Sequence, residues 1–547
     1  MKINKIISLL ILAMTLSGCS IEINWFSSSS NEGTSTSSTT SSEDSSETSS
    51  SEEPSSSSSY SDGETQELVK TDIKQTYTDY TANNVYAIDS CPTMGKAKVL
   101  VIPIWFTDSS TYVKNKENVL KDIETCYFGS NEEAGWRSVK TYYEEESNGL
   151  LSLDGKVTSW YEVGKKSTTY GDDYDATISL AKKASDWYFS NNPSDSRTNY
   201  DSDGDGYLDA VVMIYAAPDY IALGKQAYNN LWSYCFWYQD PSVNSKTNPG
   251  VNTYFWASYD FMYDQSTAYS RAGTSYSYGD CSHANVDAHT FIHEFGHVLG
   301  LDDYYDYGSN SYSPAGGFSM QDYNVGGHDP FSVMAFGWAD PYIPTDSCTI
   351  TINAFQDSKD IILLSNGWND YDSPFDEYLL LELYTPTGLN ELDATYQYTS
   401  GYPNGASKTG IRLWHIDARL LYADSSYNVS INNIGSDTNG SRYGVMQAFT
   451  NTYGDTNYGS PLGSSYDNYD LLRLVRNSKT AKIKTTNVLS NNDLFYEGDT
   501  FDLSTYSSQF PKSSKMNNGK ALGFTFEVSD ITTSGGSTSA TITITKQ

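Results

Sequence analysis

The stretch at residues 288–303 reads AHTFIHEFGHVLGLDD. Ala288–Leu299 can form a helix, for which the preceding Asp287 offers an N-cap side chain. In a helix, residues four positions apart lie about 40° apart around the axis and ~6 Å apart along it. The imidazoles of His293 and His297 can therefore converge on one ion, and this spacing predicts a zinc site.

A catalytic zinc site takes three protein ligands and keeps one position open. Gly300 can end the helix in the left-handed conformation, which lets the chain turn back towards the ion. Asp303, ten positions after His293, is the predicted third ligand, and the neighbouring Asp302 is the alternative. Glu294 does not bind the ion in such an arrangement; it reaches the attacking water and takes its proton.

Several segments around this pattern carry a family resemblance. They are His293–Asp303, the upstream Ser138–Gly149, the pairs Ser319-Met320 and Gly337-Trp338, and Gly410–Asp417 in the second half. Together they resemble the immune inhibitor A type of bacterial secreted metallopeptidase, a metzincin-like group. The resemblance extends from about Lys96 to the C-terminus.

The resemblance implies a zinc endopeptidase. Zinc would act as a Lewis acid on the scissile carbonyl and lower the pKa of its water towards 7. Glu294 would be the general base and then the proton donor to the leaving amine. Met320 would lie in the Met-turn beneath the metal. Tyr323, three residues further on, is the tyrosine expected to stabilise the oxyanion.

A second group of acidic residues lies at Asp201–Asp209, which reads DSDGDGYLD. Carboxylates occupy positions one, three, five and nine of a calcium loop, and a glycine occupies position six, where such a loop turns sharply. Position twelve is Val212, where an EF-hand has a bidentate glutamate. We predict a partial structural calcium site completed by a distant carboxylate; an acidic turn without metal is the alternative. The predicted ligands are Asp201, Asp203, Asp205, Tyr207 and Asp209.

Strands and helices alternate in the first half of the folded body. Buried strands are predicted at Lys96–Phe106 and Ala210–Tyr215, and helices at Val139–Ser147 and Ala176–Tyr188. After about Tyr342, short apolar runs alternate with Gly, Asn, Ser and Asp turns, which is typical of β-structure. The predicted fold is an α+β metzincin-like zinc protease domain at residues 96–343, followed by a β-rich, sandwich-like C-terminal half at residues 344–547.

The N-terminus has the features of an export signal. Two lysines precede an apolar run that is too short to span a membrane. Leu16-Ser17-Gly18-Cys19 resembles the bacterial lipoprotein processing box, so residues 1–19 are predicted to be a lipoprotein signal peptide, with Cys19 as the lipidated residue. Residues 20–66 are mostly Ser and Thr and predict a disordered tether. Residues 67–95 are predicted to be a linker or a short pro-segment.

The formal net charge of −34 argues against nucleic acid as a partner, because phosphate binding needs Lys and Arg. Beyond Cys19 the chain has five cysteines, without C-x-x-C spacing, so no cysteine-rich zinc site is predicted. We expect a monomeric lipoprotein on the extracellular side of a bacterial membrane, anchored only by its lipid, that cleaves extracellular proteins or peptides. The alternative is a surface adhesin whose degenerate protease domain only binds.

Overall fold

The computed structural model describes residues 68–74, 91–171, 173–237, 241–263, 286–307, 314–322, 325–395, 404–423, 429–432, 443–452, 466, 468–483 and 488–547. The predicted signal peptide, Cys19 and the tether lie outside these residues, as does most of the segment at 67–95. Within the described ranges, no helix combines the length and the apolar character that crossing a membrane requires.

A six-stranded sheet forms the centre of the first part of the chain. Its strands are β1 (Gly95–Trp105), β2 (Leu151–Val157), β3 (Tyr161–Glu162), β4 (Ala210–Tyr215), β5 (Tyr234–Trp237) and β6 (Thr253–Ser258). The order is β2-β1-β4-β6-β5, and β3 also pairs with β1. All neighbours are parallel except β5, which runs antiparallel to β6. Among the described strands, β5 therefore forms one edge of the sheet.

Helices cover both faces of this sheet. They are α1 (Ser109–Tyr112), α2 (Lys116–Phe128), α3 (Asn131–Ala134), α4 (Val139–Glu146), α5 (Tyr174–Asn191) and α6 (His289–Val298). Val99 and Val101 of β1 join the core formed with α2, α4 and α6, whereas Leu100 and Ile102 join the core formed with α5. A continuous apolar run is what a parallel strand covered on both faces requires. The predicted mixture of helices and strands in the first half is confirmed.

The second part of the chain consists mainly of strands. They are β7 (Pro341–Tyr342), β8 (Cys348–Asn353), β9 (Ile361–Leu364), β10 (Glu377–Tyr384), β11 (Gly410–Asp417), β12 (Leu420–Ala423), β13 (Val429–Asn432), β14 (Tyr443–Gln447), β15 (Leu472–Val475), β16 (Thr500–Phe501), β17 (Phe524–Ser534) and β18 (Ser537–Lys546). They form sheets in the orders β15-β11-β10-β9-β7, β13-β12-β14 and β16-β17-β18-β8. The short helices are α7 (Pro330–Ala335), α8 (Phe355–Ser358) and α9 (Glu391–Thr395). The predicted β-rich character is confirmed.

The five-stranded sheet of the second part is buried on both faces. Leu379 and Leu381 of β10 belong to one apolar core together with Val528 of β17. Leu380 and Trp414, which point to the other face, belong to the core that contains helix α6. The first part of the chain and the β-rich part therefore share a continuous apolar core.

Part of the predicted linker packs on this body. Lys70 forms an antiparallel bridge with Tyr342, and its ammonium group lies 2.7 Å from a carboxylate oxygen of Asp360. Ile73 is buried, and its backbone N–H donates to Asp340 Oδ1 at 3.0 Å. Residues 68–74 are thus docked where the two parts meet, while the domain limits drawn from the sequence stay predictions.

Candidate metal centre

Helix α6 lies in the core and is one residue shorter at each end than the predicted helix. Its N-cap is Ala288, and the predicted cap Asp287 instead accepts a hydrogen bond from the N–H of His289 at 2.9 Å. At the other end, Gly300 has a φ of 107°, and the N–H of Leu301 donates to the carbonyl of Gly296 at 3.0 Å. The turn predicted at Gly300 therefore forms and directs the chain back towards the helix.

Three side chains meet beside this turn. Asp303 Oδ1 lies 3.0 Å from His293 Nε2 and 3.2 Å from His297 Nε2. One ligand atom from each of the three residues lies within 4.8 Å of the others. The side chain of His293 is 13% exposed, whereas those of His297 and Asp303 are 2% exposed, so solvent reaches the group from the His293 side. Asp302, the alternative ligand, is engaged elsewhere, because its Oδ2 accepts a hydrogen bond from the Thr450 hydroxyl at 2.8 Å.

Backbone carbonyls orient both imidazoles. Nδ1 of His293 lies 2.7 Å from the carbonyl oxygen of Met320, and Nδ1 of His297 lies 2.8 Å from that of Leu301. A carbonyl oxygen can only accept, so each Nδ1 carries a hydrogen, and it is the neutral form of each imidazole whose Nε2 presents a lone pair. This is the tautomer that metal-binding histidines adopt when a carbonyl holds the other nitrogen.

The residues present fit a divalent metal ion. Among the described residues, His297 Nε2 and Glu294 Oε2 are buried and have no hydrogen-bond partner. A buried polar atom without a partner is costly, and a bound ion with its water would give both of these atoms a partner. Two imidazole nitrogens and one carboxylate are ligands that zinc accepts in catalytic sites.

The charges in this pocket favour a cation. Burial lowers the pKa of His297, but Asp303 and Glu294 outweigh that effect and raise it to about 10. Burial opposes ionisation of Asp303, yet the two histidines hold the pKa of its carboxyl well below its usual range. A proton on His297 and a divalent ion are therefore competing occupants of the same place.

Glu294, the predicted general base, lies between the two histidines on the helix. Its side chain is buried, and burial raises the pKa of its carboxyl although the two histidines lower it. The hydroxyl of Ser233, just before β5, hydrogen-bonds this carboxyl. At the end of β5, the ring centroid of Trp237 lies 6.5 Å from that of His297 in an edge-on arrangement. The edge strand β5 therefore borders the metal centre.

The segment around Met320 contacts His293 of the helix and orients its ring. Met320 is fully buried, and its carbonyl oxygen is the acceptor for His293. The preceding Ser319 has a φ of 134°, which a non-glycine residue rarely adopts, and its hydroxyl donates to Asp329 Oδ2 at 2.8 Å. The chain is therefore held in an unfavourable conformation that presents the Met320 carbonyl to the imidazole.

One contact of the site was not predicted from the sequence. The hydroxyl of Tyr307 donates to Asp303 Oδ2, so Asp303 offers one oxygen to the histidines and the other to a tyrosine. The sequence does not predict a contact between Tyr307 and Asp303, because the turn that joins them is irregular and gives their spacing no meaning. Tyr323, the predicted oxyanion residue, lies outside the described residues.

The predicted calcium loop is only partly assembled. Carboxylate oxygens of Asp201, Asp203 and Asp209 lie within 4.8 Å of one another. Asp205 instead accepts the backbone N–H of Tyr207 at 2.7 Å. Asp209 Oδ2 accepts the N–H of Lys98 in β1 at 2.7 Å. This loop therefore gathers three of the predicted ligands and also joins β4 to β1 by a hydrogen bond.

Comparison with known proteins agrees with this geometry. Residues 93–321 match the model of the immune inhibitor A peptidase M6 family, catalytic domain. Immune inhibitor A from Bacillus thuringiensis subsp. alesti is 27% identical over 192 residues, which is 30% of this chain and 25% of that protein. The chain thus spans about a quarter of the length of the curated relative it matches. The resemblance drawn from the sequence is confirmed for this part of the chain, and the match supports a metallopeptidase.

Proposed function

We propose that this protein is a zinc endopeptidase that hydrolyses peptide bonds of extracellular proteins. The observation that carries the proposal is the orientation of two imidazoles: carbonyl acceptors turn the Nε2 atoms of His293 and His297 towards Asp303. Glu294 follows His293 directly in the sequence. Its carboxyl is buried and lies close enough to both imidazoles for them to lower its pKa. Two imidazoles, one carboxylate ligand and an adjacent general base are the parts that zinc-dependent peptide hydrolysis needs.

The chemistry divides between the ion and the chain. A zinc ion held by His293, His297 and Asp303 would polarise the scissile carbonyl and make an attacking water more acidic. Glu294 accepts the proton of that water, and burial, which raises the pKa of this carboxyl, makes it a stronger base than an exposed glutamate. The same group then protonates the nitrogen of the scissile bond, so that a neutral amine leaves. Ser233 holds the carboxyl by its hydrogen bond.

The substrate would lie along β5 as an extended peptide. Among the strands that the structure describes, this one forms a sheet edge; it packs against α6 and ends at Trp237 beside His297. An edge strand offers main-chain N–H and C=O groups that a peptide can pair with. Main-chain pairing needs no free terminus, which favours an endopeptidase.

The test is casein hydrolysis by the purified chain together with its zinc content. Glu294→Gln should lower kcat by about 10²–10⁴-fold while zinc stays bound, because the general base acts on the proton and does not hold the ion. Asp303→Ala should lose zinc, and the matched control Asp302→Asn should keep both zinc and activity.

A surface adhesin is the alternative. It predicts no peptide hydrolysis by the wild type and binding to a host protein that Glu294→Gln leaves unchanged. Zinc-loaded, folded wild-type protein that cleaves no peptide bond would refute the proposal in favour of this alternative.

The finer features of fold and location belong to the same proposal. The Met320 carbonyl that supports His293 favours a metzincin-like catalytic domain. The apolar core shared by the four-stranded and five-stranded sheets favours a sandwich-like second part. We further propose a monomeric lipoprotein, tethered through Cys19 on the extracellular side of the membrane, because the export signal and processing box of the sequence fit that location.

A structural calcium ion at Asp201, Asp203 and Asp209 completes the proposal. Gathering of these three carboxylates next to β4 supports it, and water molecules or a further carboxylate would supply the remaining oxygens. Calcium should raise the melting temperature of the zinc-loaded protein, and Asp203→Asn should abolish that shift. The control Asp154→Asn, an exposed change in β2, should retain it. Equal calcium-induced shifts in the two variants would refute the site.

A further inference from the structure

The two parts of the chain are joined by a fully buried ion pair. Lys359 Nζ, just after α8 in the β-rich part, lies 3.1 Å from Glu146 Oε2 at the end of α4. The side chains of Lys359 and Glu146 are 2% and 0% exposed. We propose that Lys359 is a positioning residue of the metal centre, through which the β-rich part holds the catalytic machinery in its working geometry. This inference rests on the proposed function.

Helix α4 contacts two structures that form the metal centre: helix α6 and the segment that follows Met320. The hydroxyl of Tyr143 donates to the carbonyl of Ile292 at 2.7 Å, one residue before the ligand His293. The hydroxyl of Tyr142 donates to the carbonyl of Gly326 at 2.9 Å, in the segment that follows Met320. Glu146 lies on this same helix, so its position is tied to both structures.

Glu146 also holds the segment after Met320 directly. Its Oε1 accepts the backbone N–H of His328 at 2.9 Å, while its Oε2 receives Lys359. Gly327 packs closely on this carboxylate, because a Cβ added there would lie 3.2 Å from either oxygen of Glu146 and 2.5 Å from Gln356 Nε2. One carboxylate therefore links the β-rich part, α4 and the segment whose Met320 carbonyl orients His293.

The backbone at Lys359 indicates that its side chain is required. Lys359 is the C-cap of α8 and has a φ of 54°. Glycine is the usual residue in this left-handed conformation, and other residues adopt it at a cost in free energy. A lysine that occupies such a position with a buried ammonium group serves the contact it makes rather than the turn.

The positive charge of Lys359 is what keeps the Glu146 carboxylate in its place. A buried carboxylate whose cation is removed is strongly destabilised and either takes up a proton or moves towards water. Either response changes the hydrogen bond to His328 and the packing of α4. The contacts described for Lys359 and Glu146 connect them to the metal centre through α4 and the segment after Met320, so their proposed effect on catalysis acts through the position of these two structures.

The experiment compares full-length variants by zinc affinity, measured by chelator competition, and by kcat and KM. Lys359→Met keeps the length of the side chain and removes its charge. It should weaken zinc binding by about 10–100-fold, the range seen when residues that orient metal ligands are changed, and lower kcat with little change in KM. Glu146→Gln/Lys359→Met removes both charges and keeps an oxygen for His328, so it should recover most of the affinity.

A purely structural role predicts a different pattern. Ile542→Ala removes a buried side chain of β18 that lies in the apolar core without helix α6, and should lower the melting temperature without changing zinc affinity. Folded Lys359→Met with wild-type zinc affinity would overturn the proposal. If Lys359→Met does not fold, Lys359→Arg replaces it: weaker zinc binding at an unchanged melting temperature supports the proposal, and unchanged binding and kcat overturn it. Wild-type protein that binds zinc but cleaves nothing would refute the proposed function alone.

Discussion

Removal of the Tyr307 hydroxyl tests whether Asp303 is held from both sides. In Tyr307→Phe, Asp303 loses the donor to Oδ2 while Oδ1 still faces the two histidines. A hydrogen bond to a charged group contributes about 1.5–3 kcal/mol. Tyr307 is partly exposed, so water can replace part of the lost bond, and we take the lower end of that range. A loss of about 1.5–2 kcal/mol corresponds to a roughly 10–30-fold rise in the zinc Kd.

The assay is zinc competition against a chromophoric chelator, with the folded state checked by circular dichroism. Tyr305→Phe is the matched control, because Tyr305 is also partly exposed and its ring centroid lies 5.3 Å from that of Tyr307. We expect the control to bind zinc like the wild type. A zinc Kd in Tyr307→Phe equal to that of the control would show that the hydroxyl does not position Asp303, and would refute this interpretation of the ligand set.

Two further predictions concern packing and pH. Gly296→Ala should lower activity and weaken zinc binding in competition assays, because the new Cβ would lie 2.2 Å from Gln321 Oε1 and displace this side chain. Wild-type zinc affinity would contradict the tight fit of these two residues. Burial raises the pKa of Asp122 to about 6, although the hydrogen bond that its carboxylate accepts from the Tyr263 hydroxyl lowers this pKa. The unfolded carboxyl ionises near 4, so the folded state loses stability as the pH rises from about 4 to about 6. Asp122→Asn should therefore raise stability in urea titrations by about 1 kcal/mol at pH 7.5, after a discount for partial exposure, and have little effect at pH 4; equal effects at both pH values would contradict the shift.

Features set by nearby residues could be predicted from the sequence. The spacing of His293 and His297 and the glycine at position 300 define a helix and a turn within eleven residues, and both form as expected. The predicted strand at Ala210–Tyr215 has the observed limits, because its apolar run is bounded by an acidic loop. Helix α5 starts at Tyr174, two residues before the predicted start, because Asp173 accepts the N–H of Ala176 and caps it.

Features set by distant residues could not be predicted. Lys359 and Glu146 are 213 positions apart, and an isolated lysine and glutamate in two different segments carry no pairing signal. The sequence predicts Asp303 as the third ligand and leaves Asp302 as the alternative. In the structure Asp303 Oδ1 faces the two histidines, whereas Asp302 accepts from the Thr450 hydroxyl, 148 positions away. Pairings of this kind depend on the packing of the whole chain, which no local pattern contains.

The orientation of the metal-binding side chains is set by the segments that contact helix α6 rather than by the helix itself. Helix α6 has ten residues, and a helix of that length is marginal by itself, so its position depends on tertiary packing. Its two imidazoles could rotate freely about their side-chain bonds. Their orientation is fixed by the carbonyl of Met320 in a separate segment and by that of Leu301 in the turn that follows the helix. A change in either segment should therefore weaken metal binding even when every ligand is retained, which is the reason that residues as remote as Lys359 can control the site.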